Sequence, residues 1–356
     1  MSAPTAPPAD LAALTALVVA QEATRTAAEA QATALAAAAA GAFAQWYDTG
    51  AITDWSGRLA GQIESLLRIT ARSTDAYLAR LIGMLTGKTS RPLGAIDVTQ
   101  LRNGVTHAGA LARAADVFRY QQARQDAAAR ALLTAPTPRV PDLQAPLSAA
   151  VDRVRQVTQT DVQLATRAQT TRAFTAAGEQ GLITGYRRII HPELARTGTC
   201  GLCVAAADRL YKVGELLPLH DGCHCTVAPV TAASDPGMQL NQLDFKRLYK
   251  AAGGTGRAGL QRTRYTIVEH GELGPQLVAA DAKPRTARQA QAATNKAKGP
   301  KTPQQRAAAI RAAHGRLAPA LGRVDELARQ DPGPWGEYRD GLAARVADLD
   351  QQATAA

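Results

Sequence analysis

All four cysteines of this 356-residue chain fall within 26 residues, from Cys200 to Cys225. Cys200 and Cys203 form a C-x2-C pair in "TGTCGLC", and "HDGCHC" follows with His220, Cys223, His224 and Cys225. Two thiolates at that spacing can grip one tetrahedral ion while the intervening amides turn toward the sulfurs. A second cluster after a short connection completes the ligand spacing of a small structural zinc site. Six candidates compete for four places. In an extended segment residues 223 and 225 share a face and 224 points away, so the preferred set is Cys200, Cys203, His220 and Cys223, with Cys225 as the substitute. Two other readings of the cysteines stay open. They could pack as reduced thiols in a small core, or form a redox pair, although no βαβ pattern of thioredoxin type surrounds the C-x2-C.

A catalytic metal would need an open coordination position and a base of its own. "HPE", His191 to Glu193, followed by C-x2-C has the order of a zinc deaminase signature. No proline precedes Cys200, however, and six residues leave no room for the strand and helix such a site needs. A nuclease of the His-Asn-His type would want more histidine and asparagine just downstream of the cysteine cluster, and the next histidine beyond Cys225 is His270. The expectation is a closed, four-ligand site that stabilises a fold. Other chemistry is sparse: there is no G-x-S-x-G elbow and no H-E-x-x-H. His107, His191, His270 and His314 are scattered and read as surface or satisfied core histidines. Ser56, Ser73 and Ser148 sit where helix caps would. The remaining pairing is Cys225 with His224 or His220, but sequence neighbours rarely present a nucleophile and its base in the required geometry.

The elements around the cluster are mostly helical. Residues 9 to 47 read as one alanine-rich helix after a proline-rich leader, and the spacing suggests a partner-seeking arm. Trp55, Leu59, Ile63, Leu66 and Leu67 recur at helical steps, as do Tyr77, Leu78, Leu81, Ile82 and Leu85, with Asp54 placed to cap the first helix and Gly87 to stop the second. A third helical run, from about Val98 to Leu133, completes an N-terminal helical domain over 51–133. "TAPTPRVPDLQAP", with four prolines in thirteen residues, marks a linker over 134–146. A long helix is expected from Ser148 to about Glu179, ending near Gly178 and Gly181. "YRRII" and "CTVAPV" then read as strands on either side of the cysteine cluster, and "RYTIVEHGELGP" as a strand and turn. "LDFKRLYKAAGG" reads as a short helix. The fold class expected is mainly α, with a small α+β module over 147–280 and long alanine-rich helical ends at 1–50 and 325–356. The last of these is a helical hairpin broken at "DPGPWG".

Composition narrows the classes further. The chain is 46% hydrophobic but only 4% aromatic, and alanine favours helix while burying little area, so thin cores are expected. The net charge is +11, and from Ala282 to Val324 ten Lys or Arg residues occur with no acid. That segment, Lys283 to Arg323, suits contact with nucleic acid or an acidic protein surface, or else a solvated basic linker. The opening "MSAPTAPPAD" has no basic segment of signal-peptide type, and the most apolar run is too short and alanine-rich to span a bilayer, so no membrane partner is expected. Clustered cysteines in a reducing cytoplasm more often bind metal than pair as disulfides.

"TGTCGLC…DRLYKVGELLPLHDGCHCTVAPV" resembles the C-terminal motif of the Mu F-like minor head proteins of tailed bacteriophages. There a C-x2-C pair is followed by an H-x2-C-x-C ending, which falls here on His220, Cys223 and Cys225. "ATRAQTTRAF", Ala165 to Phe174, is similar to the helix that precedes that motif, and "LYKAAGG" and "EHGELGP" resemble the version carried by phages of actinobacteria. The resemblance covers roughly residues 160 to 280, and 55 to 87 less specifically. It implies a minor capsid or head-morphogenesis protein acting at the portal and prohead interior; the structural zinc expected there rests on the Cys/His spacing. It also implies location in the virion after assembly in the host cytoplasm. Portal protein, scaffold and major capsid protein are the implied partners, and packaged DNA would meet Lys283 to Arg323. Actinobacteriophage members are often labelled capsid maturation proteases, which supplies the alternative function, cleavage of scaffold or major capsid protein.

Overall fold

The computed structural model describes residues 11–134, 139–189, 206–207, 209–213, 225–238, 265–270, 274–279 and 303–355. The chain is mainly helical with a small antiparallel sheet, as expected. The helices are α1 (Leu11–Gly41), α2 (Thr49–Thr86), α3 (His107–Ala112), α4 (Ala114–Ala131), α5 (Ala145–Glu179), α6 (Pro303–Gln330) and α7 (Pro332–Ala355). The strands are β1 (Gly185–Ile189), β2 (Leu210–Tyr211), β3 (Thr226–Val230), β4 (Tyr265–His270) and β5 (Gly274–Ala279). Two compact units are each assembled from separate stretches of chain: residues 1–36, 57–109 and 155–287 in the first, and 37–56, 110–154 and 288–356 in the second.

In the first unit the small sheet has the order β2-β1-β3, with β1 central and antiparallel to both neighbours. Tyr186 and Val227 on the sheet pack with Leu78 and Ile82 of α2 and with Ala173, Phe174 and Ala177 of α5. All five residues of β1 are buried, so this antiparallel strand is covered on both faces and loses the usual alternation. Gly185 is required where it stands, because a Cβ there would meet the Tyr211 carbonyl oxygen at 2.5 Å. The amino-terminal helix is no detached arm along its first turns. Leu14 packs with Leu81 and Leu85, and Val18 with Ile189 and Ala228, inside the same unit.

α5 ends as its glycines foretold. Leu182 N–H donates to Ala177 O and Gly181 N–H to Gly178 O, both at 2.9 Å, with Gly181 at φ +65°. This is a Schellman termination, which needs a left-handed residue at that position. Gly87 ends α2 in the same backbone region, at φ +66°. The two helices expected over 55–87 are one continuous helix, and its N-cap is Asp48, whose Oδ1 accepts the Ala51 N–H at 2.9 Å. Asp54 lies inside it. Ser56 and Ser73 are likewise interior to α2, and Ser148 to α5, so none of the three is a cap; the Ser56 hydroxyl donates to Thr53 O. Residues 98–106 are not helical, and the helical run begins at His107, where the Thr106 hydroxyl accepts the Gly109 N–H at 3.0 Å.

In the second unit α6 and α7 form a helical hairpin. Leu317, Val324 and Leu327 of α6 pack with Trp335, Tyr338, Leu342 and Leu349 of α7 and with Leu132. Asp331 alone separates the helices, since residues 332–336 are already helical. Pro332 and Pro334 are tolerated because the amides of a first helical turn have no partner within the helix. The acid-free segment is divided: residues 283–302 lie outside the described residues, while Arg311 and Arg316 stand exposed on α6. A separate aromatic cluster joins Phe43, Trp46, Trp55 and Phe118. β4 and β5 form an antiparallel hairpin with Tyr265 opposite Ala279 and His270 opposite Gly274. The expected short helix at 243–254 lies outside the described residues.

The cap assignment is testable by thermal unfolding. Asp48→Ala should lower stability by about 1 kcal/mol, whereas Asp54→Ala should leave it nearly unchanged. Equal losses would restore Asp54 as the cap.

Candidate functional site

Strand register defines where the cysteine segment is attached. β1 and β3 pair from Gly185 with Val230 to Ile189 with Thr226, so the two ends of segment 190–225 leave and return at neighbouring positions. β2 pairs Leu210 with Arg187 and Tyr211 with Tyr186, and therefore runs opposite to β1. The connection carrying Cys200 and Cys203 starts at the Ile189 end of the sheet and returns to that side at Leu210. The connection carrying His220 and Cys223 starts at the opposite end and must cross to reach Thr226. Cys225, next to Thr226, therefore lies at the Ile189 end of the sheet. Cys200, Cys203, His220 and Cys223 themselves lie outside the described residues, as do His191 and His224. Among the described residues no three His, Cys, Asp or Glu side chains gather as a metal-holding group.

The limb that leads into β2 is pinned. The Tyr211 hydroxyl donates to Ala206 O at 2.9 Å, and Arg187 Nη1 to Ala207 O at 3.5 Å. Arg187 also holds Asp235 through Nε at 2.8 Å and Nη2 at 2.7 Å, a two-pronged guanidinium–carboxylate contact of the stronger kind. Gly237 sits against it, where a Cβ would lie 2.8 Å from the Arg187 Cβ.

Cys225 is the one candidate ligand whose place is described. It is half-buried just before β3 and lines a cavity of about 40 Å³ with Arg188, Thr226 and Val227. Arg188 is only 1% exposed. Its guanidinium lies 5.4 Å from the centre of the Tyr211 ring, which stacks in turn on Tyr186 with centroids 5.1 Å apart. Burial pushes the Tyr211 hydroxyl above its ordinary pKa, against the opposing pull of the Arg188 charge and hydrogen bond. A cluster of three thiolates and one neutral imidazole around Zn²⁺ has net charge −1, so a buried guanidinium beside Cys225 is compatible with thiolate ligation here.

A second buried polar group lies deeper in the unit. Asp161, on α5, accepts Arg102 Nε at 2.6 Å on one oxygen and His107 Nδ1 at 2.9 Å on the other. Arg102 Nη2 donates to Val157 O at 3.0 Å, and His107 Nε2 faces Val98 O at 2.7 Å. Both partners of the imidazole can only accept, so the ring must donate from both nitrogens and carry a proton. Burial opposes that charge, but the Asp161 hydrogen bond and charge, the Val98 carbonyl and the more distant Glu64 outweigh it and hold the His107 pKa above its ordinary value. His107 is therefore a satisfied core histidine with no open face for a substrate. His314 is a partly exposed helix residue 4.0 Å from Asp350.

The residues that sequence reasoning missed share one signal. Asp161 falls in the buried stripe of α5 with Val154, Val157 and Ala165, and Arg188 sits in a β-prone run. A charged residue at an otherwise apolar phase marks a buried ionic partner elsewhere.

No protein-family model matches this chain, and neither a curated protein nor a solved structure matches it.

The charged trio makes two predictions. Asp161→Asn leaves Arg102 and His107 buried without their counter-charge and should cost about 3–5 kcal/mol in urea unfolding. Because the folded-state pKa of His107 is raised, its contribution is complete below the unfolded value near 6.5 and is lost as pH rises through the folded value. The stability difference between wild type and His107→Gln should therefore shrink from pH 6 to pH 9. A difference that stays constant or grows would contradict a protonated His107.

Proposed function

We propose that this protein is a minor head component of a tailed bacteriophage, acting in prohead assembly at the portal and capsid interior. In this reading the Cys/His segment closes around one zinc ion that staples the small α+β module. What supports it is the order of elements: the helix containing "ATRAQTTRAF" leads into β1, and β1 pairs with β3 across segment 190–225, which holds all four cysteines in the sequence. Cys200, Cys203, His220 and Cys223, with Cys225 as substitute, would hold the ion, and zinc would supply a cross-link between the two connections. The ion does no catalysis in this account.

Portal, scaffold and major capsid protein are the proposed partners, and the basic segment from Lys283 to Arg323 is the proposed contact for packaged DNA or an acidic scaffold. Arg311 and Arg316 supply exposed charge for that purpose. The protein would be found inside virions and, before packaging, in the host cytoplasm.

Coexpression with portal, scaffold and major capsid protein tests the proposal. The chain should enter assembled heads without cutting its partners, and Cys200→Ser with Cys203→Ser should reduce incorporation at least several-fold. Normal, infectious heads from the double variant would remove the structural role. Defined cleavage products, abolished by single-residue changes in this chain, would assign it instead as a capsid maturation protease.

A further inference from the structure

Three acids are buried among the described residues, and two of them sit against arginines. Glu22 accepts Arg25 Nε at 3.0 Å, and Asp161 accepts Arg102 Nε at 2.6 Å. The third, Asp75 on α2, is 2% exposed and has only a neutral partner, the Gly94 N–H, on Oδ2 at 2.7 Å. Its other oxygen, Oδ1, has no hydrogen bond or ion pair among the described residues. Removing a carboxylate from water is costly unless a cation or several donors meet it. Asp75 instead borders a cavity of about 500 Å³ between the C-terminal ends of α2 and α5, a volume within the range of about 300–1,000 Å³ that small-molecule sites have.

The cavity has an apolar floor and a polar outer wall. Ile82, Ala173, Ala177 and Leu182 form the floor, and residues 89–93 the wall. That wall is fastened at both ends. Lys88 N–H donates to Thr86 Oγ1 at 3.2 Å, and Arg172 Nη2 donates to Leu93 O at 3.0 Å while Gln169 Nε2 holds Gly94 O at 3.1 Å. Between the anchors the Thr89 and Ser90 hydroxyls, with the Gln180 amide nearby, make no side-chain hydrogen bond among the described residues. Arg91 also lines the cavity, but it is exposed and forms no ion pair with Asp75.

We infer that this cavity binds a small organic cation, an ammonium or guanidinium group on a short apolar stem, with the charge on Asp75 Oδ1 and the stem on the floor. A charged donor at that oxygen makes the stronger, charge-assisted kind of hydrogen bond, and the free hydroxyls of Thr89 and Ser90 supply further acceptors. A bare divalent metal suits the site poorly, because Asp75 is the single acid among the described lining residues and such ions want several oxygen ligands. A free amine and a lysine side chain present the same chemistry here. The inference depends on neither head assembly nor bound zinc.

Calorimetric titration of the full-length protein with n-butylammonium, n-butylguanidinium and the neutral match n-butanol tests it. At least one cation should bind about tenfold or more tightly than the alcohol. N-acetyl-lysine methylamide, whose only charge is its side chain, separates the sources: binding as tight as n-butylammonium assigns a protein side chain, and much weaker binding a free amine. Asp75→Asn keeps an oxygen for the Gly94 N–H and should erase the preference for cation over alcohol. Ala176→Leu, which fills the cavity from α5 with Asp75 intact, should weaken every ligand about tenfold or more, so either variant decides if the other fails to fold. Four results would overturn the site: no cation preference in wild type; the same preference in Asp75→Asn; unchanged binding in Ala176→Leu; or cation binding that appears only in Arg91→Ala, which would make Arg91 the partner of Asp75 in solution.

Discussion

The pairing of β1 with β3 is the constraint on which the candidate site depends. It brings together the two ends of a connection that contains every cysteine in the chain. Loop closure of this length is entropically unfavourable, and the cost grows only slowly with length. Once the ends are fixed, further contacts inside the connection have less entropy to overcome. β2 is one such contact, and Tyr211 and Arg187 add others by holding the carbonyls of Ala206 and Ala207. A metal clip across the same connection would act in the same direction as these contacts.

β1 can serve as that anchor because α2 and α5 cover it, and α5 is an unusual core helix. Asp161, Gln163, Gln169 and Thr170 are all buried on it. A polar interior is tolerable only when its groups are satisfied, and most are. Gln169 accepts the Ile96 N–H at 2.9 Å and donates to Gly94 O at 3.1 Å, so its amide replaces a strand partner for the segment after α2. Asp75 holds the Gly94 N–H at 2.7 Å from the other side. Asp161 gathers Arg102 and His107 in the same way. Polar side chains thus fix the irregular segment 88–106 against two helices, a task that alanine-rich surfaces perform weakly. The Thr158 hydroxyl and the Gln163 Nε2 depart from this pattern.

Much of this architecture was legible in the sequence where local chemistry decides it. The strands "YRRII" and "CTVAPV", the glycine stops at Gly87 and Gly181, and the hairpin near Asp331 follow from residue preferences acting over a few positions. The continuous α2 was less legible, because Asp54 offers a cap that the tertiary structure overrides in favour of Asp48. The helix over 9–47 looked like an arm for a partner because its stripe is mostly alanine, yet Leu14 and Val18 find apolar partners in the chain itself. The composition of each unit from separated stretches was not legible, since it depends on contacts between residues far apart in sequence. The candidate ligands were visible as a pattern of cysteine and histidine. The place of Cys225 at one end of the sheet required the strand register, and Arg188 and Asp161 required knowledge of which strand and which helix face are buried.

The central claim is that the cysteine segment is a closed metal clamp on the β1–β3 neck. Metal analysis of the purified full-length protein, combined with zinc-edge X-ray absorption, tests it most directly. The account predicts one zinc per chain in a four-coordinate shell of mixed sulfur and nitrogen, with no bound water among the ligands. A folded protein that carries no metal, or one whose zinc shell contains an exchangeable water, would contradict it.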